Sequence, residues 1–129
     1  MLYVILWFFV FIIFLGVFLF FKFRKKSKLN ISDKKEILRN FKNIKSLKSS
    51  KEKIVDFDKL YHLILKKLWY KWSFWEILKS EPKHIKNLNK IWELHKLRNE
   101  LVHSFSDISE KKMDIKVNEY EKEIERFLG

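Results

Sequence analysis

The chain has 129 residues, a formal net charge of +12 and no cysteine. That length allows one domain, and the missing thiols exclude a disulfide framework, a disulfide-linked partner, a thiolate metal site and a cysteine nucleophile. The charge points first to nucleic acid, yet the stretch from Lys22 to Lys53 carries +10 of it and the rest, from Ile54 onward, only +2.

Residues 1–21 read MLYVILWFFVFIIFLGVFLFF, with no charged side chain. About 20 helical residues cross a hydrocarbon core, so this segment is expected to be a transmembrane helix. No Lys or Arg precedes it, and Lys22-Phe23-Arg24-Lys25-Lys26 offers no small residue for cleavage. The reading is therefore an uncleaved anchor. Gly16 stands alone, without a GxxxG pairing face. Basic flanks stay cytoplasmic, which puts the N-terminus outside the cell membrane and the remaining chain inside, as a single-pass protein. Lys22, Arg24, Lys25, Lys26 and Lys28 are then placed to meet anionic headgroups of the bilayer.

Residues 22–48 read as a basic juxtamembrane linker with an amphipathic helix. Asp33 and Glu36 suggest its start. Ile37, Leu38, Phe41, Ile44 and Leu47 follow at helical spacing. That helix either packs on the domain or lies on the membrane surface.

Residues 49–129 read as the helical domain. Ser49-Ser50-Lys51-Glu52 opens a helix that runs to about Leu68, with a wide apolar stripe from Ile54 to Leu68. Asp58 and His62 interrupt the stripe one turn apart. Residues 69–75 are a connection into a short helical turn over 76–79. Ser80-Glu81-Pro82 suggests the next helix, from Pro82 to about Ser104. A last helix covers roughly 112–128, with Val117, Tyr120, Ile124, Phe127 and Leu128 as its stripe. No period-two pattern appears, so the fold class is all-α: a membrane helix followed by a small antiparallel bundle.

The helix around residues 91–103 carries the most information. At 100° per residue, Leu88, Ile91, Trp92, Leu94, Leu101, Val102 and Phe105 share one arc. Glu93, Lys96, Glu100 and Ser104 lie opposite. His95, Arg98, Asn99 and His103 fall inside the apolar arc. Buried polar groups require partners. Either these four bond to one another and to neighbouring helices, with Arg98 on a carboxylate such as Asp58, or they line a cleft or dimer interface. Of the other histidines, His62 is expected to be a satisfied core residue and His84 exposed. No HExxH pattern, carboxylate cluster, glycine-rich phosphate loop or nucleophile elbow is present. No metal or cofactor is expected.

The run Arg98-Asn99-Glu100-Leu101-Val102-His103 matches R-N-x-x-x-H. It resembles the R-x(4–6)-H motif of the HEPN superfamily, the higher-eukaryote and prokaryote nucleotide-binding helical domains. There the motif lies on a late helix of a four- or five-helix antiparallel bundle. Trp92-Glu93-Leu94-His95-Lys96-Leu97 also looks like small bacterial proteins that join one membrane helix to a HEPN-like domain. The resemblance covers about residues 54–128. It implies either a non-catalytic interaction or nucleotide/RNA-binding module, or a metal-independent endoribonuclease acting as a homodimer. In the latter His103 would be the general base on a 2′-hydroxyl, Arg98 would hold the scissile phosphate and Asn99 would orient the phosphate or His103. His95 and Asp58 are the accompanying binding candidates. The motif does not name an RNA, a nucleotide or a partner.

Trp69, Trp72 and Trp75 crowd a connection where Gly, Asn, Asp and Ser are usual. The resembling domains carry a run of the form LGYKGSFGE there, against Leu68-Trp69-Tyr70-Lys71-Trp72-Ser73-Phe74-Trp75-Glu76 here. Some reduced-genome bacteria decode UGA as glycine. The chain has two glycines and a composition that suits an AT-rich genome. The expectation is glycine at 69, 72 and 75 in the living protein, with Trp92 genuine and Trp7 undecided. The alternative is an aromatic patch that packs on the membrane or a partner.

Overall fold

The computed structural model of this chain describes residues 1–23, 28–104 and 107–129. These residues form six helices and no strand: α1 (Leu2–Phe23), α2 (Ile31–Lys45), α3 (Ser50–Lys67), α4 (Phe74–Lys79), α5 (Leu88–His103) and α6 (Glu110–Leu128). Arg24, Lys25 and Lys26 of the basic cluster, and Phe105 of the apolar arc, lie outside the described residues.

α1 buries no residue. Its most apolar 18-residue window has a mean hydropathy of 3.1, so by length and composition it can cross a membrane. Lys22 ends it as an exposed cation.

α3 is the central helix. It packs against α2, α5 and α6. Its stripe buries Ile54, Phe57, Leu60, Tyr61, Ile64 and Leu65, a helical repeat wide enough to serve three neighbours at once. α2 closes one side by burying Ile37, Phe41 and Ile44, with the Phe41 ring 5.6 Å from Phe57. Of its two expected placements, the amphipathic helix thus takes the one on the domain. The contact is pinned at its end, where Lys67 Nζ lies 3.3 Å from Asp33 and 2.8 Å from Glu36. α6 closes the other side with Met113, Val117, Tyr120 and Ile124.

Helix starts differ from the expected ones wherever a better cap lies nearby. α2 begins before Asp33, because the Asn30 side chain accepts the Asp33 N–H at 2.7 Å. α4 begins before Glu76, because Ser73 and Glu76 form a full capping box. Ser109 likewise starts α6 ahead of Lys112. The larger correction concerns α5. It starts at Leu88, not Pro82, with Asn87 capping Lys90 N–H at 3.1 Å. Glu81 holds a left-handed φ of 50°, and Ile85 N–H closes a turn on the Pro82 carbonyl at 3.1 Å. Proline at this place stabilises a turn and not a first helical turn.

The C-terminus of α3 has a distinctive closure. Leu68 is the C-cap. Trp69 N–H then bonds the Lys66 carbonyl at 2.9 Å, and Tyr70 N–H bonds the Leu65 carbonyl at 3.1 Å. This is the Schellman arrangement, with its usual apolar contact partners Tyr70 and Leu65 both buried. Trp69 occupies the left-handed position, at φ 70°.

Candidate functional site

The site starts from one misplaced charge. Asp58 sits on the apolar side of α3 between Ile54 and Tyr61 and is only 4% exposed. A carboxylate there loses most of its hydration, which is costly unless partners replace the water. Two neighbouring helices supply them. Tyr120 of α6 donates its hydroxyl to Asp58 Oδ1 at 2.7 Å. His95 of α5 sets Nδ1 at 3.0 and 3.1 Å from the two carboxylate oxygens. Burial, and then the charge and hydrogen bond of Asp58, push the Tyr120 hydroxyl well above its ordinary range, so it stays protonated and keeps donating.

The network continues along α5. Arg98 Nη1 donates to Asn99 Oδ1 at 3.0 Å. That contact turns the Asn99 amide nitrogen toward His95 Nε2, 3.4 Å away. With Nδ1–H directed at the carboxylate, Nε2 is left to accept from the Asn99 amide. Arg98 Nε lies 3.8 Å from Asp58 Oδ2, close enough for Coulombic attraction but too far for a hydrogen bond. Among the described residues Nε is the one buried side-chain polar atom without a hydrogen-bond partner.

Phe74, the first residue of α4, roofs the network. Its ring meets His95 edge-on at 4.6 Å, stacks on His62 at 5.3 Å and lies 5.9 Å from Tyr61. His62 is half-buried and reaches the Trp72 carbonyl at 3.2 Å. Burial lowers its pKa, reinforced by Lys66 and His95 and opposed by that carbonyl and by Asp58.

The structure therefore brings Asp58, His95, Arg98 and Asn99 together, and the pairing of Arg98 with Asp58 occurs at ion-pair distance. It does not bring His103 with them. His103 is exposed at the end of α5, although the helical wheel placed it on the packed side. Leu101 is the last buried residue of α5, and Val102 is 46% exposed. The last turn runs past the helices that cover its middle, so the wheel position no longer faces a neighbour. His84 departs in the other direction. It was expected to be exposed, yet it is half-buried and its Nδ1 lies 2.8 Å from the Tyr70 hydroxyl. Lys28 is exposed just before the Asn30 cap. Tyr120 and Phe74 are the members that sequence reasoning missed. A tyrosine in an apolar stripe signals a hydroxyl in search of a partner, and Asp58 was the carboxyl inside the facing stripe. No such signal marked Phe74.

Chemically this is a holding arrangement. His95 is buried, with both ring nitrogens engaged within the protein, so it presents no open nitrogen as a general base. Among the described residues no group of three or more His, Cys, Asp or Glu side chains is placed to hold a metal ion. No family model, curated protein or solved structure matches this chain.

Proposed function

We propose that the chain is a membrane-tethered cytoplasmic helical module of HEPN type that serves in interaction or in nucleotide/RNA binding without cleaving its ligand. The carrying observation is the closed network around Asp58. It engages His95, Arg98 and Asn99 in joining α3, α5 and α6, which suits a structural use of the motif helix. α1 serves as the anchor, with its N-terminus outside and its basic end on the cytoplasmic side.

A metal-independent ribonuclease is the second reading. It is favoured by exposed His103, the motif residue that stands clear of the Asp58 network and is able to serve a composite site in a homodimer. One experiment separates the readings. Full-length protein in micelles is incubated with RNA, beside His103→Ala and with the oligomeric state measured in parallel. The expected result is intact RNA with both proteins. Cleavage by wild type that His103→Ala abolishes, in a dimer that keeps its helical circular dichroism, overturns the first reading in favour of the second. For topology, protease added outside intact cells is expected to leave residues 30–129 whole, and their digestion would reverse the orientation.

A further inference from the structure

A second region of the bundle gathers positive charge. A cavity of about 410 Å³ opens between the start of α2, the 80–87 turn and the end of α6. Lys28, Lys34, Lys83, Lys86 and Arg126 stand around it. Glu123 is the one acidic side chain in its lining, and it lies 3.4 Å from Arg126. Among the described residues no carboxylate comes within ion-pair distance of the four lysines. Behind the cations lies an apolar floor of Leu68, Tyr61 and Phe127. Four unneutralised ammonium groups around one opening repel each other, and a multiply oxygenated anion relieves that repulsion. The floor adds a place for carbon.

Position narrows the anion. Lys28 lies five chain steps beyond Phe23, the end of α1, and five steps span at most about 18 Å. The headgroup layer of one leaflet is itself roughly 5–8 Å thick. The rim of the cavity is thus tied close to the surface through which α1 leaves the bilayer. We propose that this cavity binds the phosphate headgroup of an anionic phospholipid, with the lysines on the phosphate and the apolar floor against the glycerol and first acyl carbons. The proposal rests on the reading of α1 as a membrane anchor.

The test uses the full chain in neutral micelles, with amide signals of residues 83–87 followed by nuclear magnetic resonance. Short-chain phosphatidylglycerol, short-chain phosphatidylcholine and free glycerol phosphate are titrated separately. Saturable shifts are expected with phosphatidylglycerol alone. Lys34→Gln, Lys83→Gln and Lys86→Gln are expected to weaken that binding roughly fivefold each, with helical circular dichroism unchanged. Equal binding of phosphatidylcholine, or no saturation, overturns the site. Binding of glycerol phosphate as tight as that of the lipid overturns the lipid source and leaves a soluble phosphate site. Whether the chain sediments with cell membranes is read separately, so failure of the anchor is distinguishable from failure of the cavity.

The backbone at Trp69 independently carries a second inference. Left-handed φ costs a side-chain-bearing residue about 1–2 kcal/mol, and the Schellman position is the one where glycine dominates. Glu81 shares a positive φ, but its side chain is polar and solvated. Trp69 is large, apolar and 47% exposed, beside Trp72 at 50% and Trp75 at 45%. From this geometry and the spacing of three, we infer that positions 69, 72 and 75 are glycine in the source cell, encoded by UGA. The codons and the masses of native peptides spanning 67–79 decide it. UGA codons with glycine masses are expected, and UGG codons or tryptophan masses at these positions overturn it.

Discussion

Around Asp58 a charge is buried among apolar residues, whereas from the end of α3 to the first turn of α4 three large apolar residues stand half in water. Both regions invert the usual distribution, but they are supported differently: Trp75 meets Trp92 edge-on at 4.6 Å and carries Lys79 Nζ 5.3 Å over its ring. Asp58 has Tyr120, His95 and Arg98 about it. Trp69 combines an unfavourable backbone angle with a large apolar side chain on an exposed residue. A local exception whose neighbours are arranged around it reads as a designed feature, and a left-handed backbone under a large, half-exposed side chain reads as a mismatch between residue and position.

The comparison breaks first at Asp58. Asp58→Ala leaves the Tyr120 hydroxyl, His95 Nδ1 and the Arg98 guanidinium without their shared acceptor. Loss of about 3–5 kcal/mol is expected, measured by chemical denaturation of the full chain in micelles. A change below about 1 kcal/mol would show that the network is dispensable. Trp69→Gly goes the other way. It should stabilise the chain by about 1 kcal/mol, the relief of left-handed strain less the added freedom of the unfolded chain. Destabilisation would mean that the indole packs on something worth more than the strain.

The smallest expected effect lies at His62, which touches both regions through Trp72 and Phe74. Its folded pKa is lowered from 6.5. Below that value the unfolded chain takes a proton at this site that the folded chain resists. Stability is thus full above about pH 6.5, falls as the pH drops, and levels off once the folded histidine also protonates. His62→Gln should flatten this part of the profile between about pH 7 and 5. An unchanged slope would exclude His62 as its source.

Much of this was legible. The stripe from Ile54 to Leu68 declared α3 as a core helix, and the uncharged run before Lys22 declared α1. The inward positions of His95, Arg98 and Asn99 followed from helical geometry alone. What failed did so for local reasons. Pro82 suits a first helical turn as well as a tight turn, and only the Asn87 cap and the angle at Glu81 decide between them. His103 obeyed the wheel but lay beyond the last neighbouring helix, and periodicity carries no information about where coverage stops. Phe74 reached the site by a change of chain direction that no repeat encodes. The Asp58–Tyr120 bond joins two stripes that were each visible, but their register is a tertiary fact.

That last bond also sets an order of events during synthesis. Tyr120 follows Asp58 by 62 residues, which at ordinary elongation rates takes roughly 3–12 s to make. During that interval α1 is already complete, while the carboxylate of α3 still lacks its α6 donor and stays with water. The nascent chain is thus held with its core open until the last helix arrives, and ribosome-bound chains stopped before residue 110 should be far more protease-sensitive than finished ones.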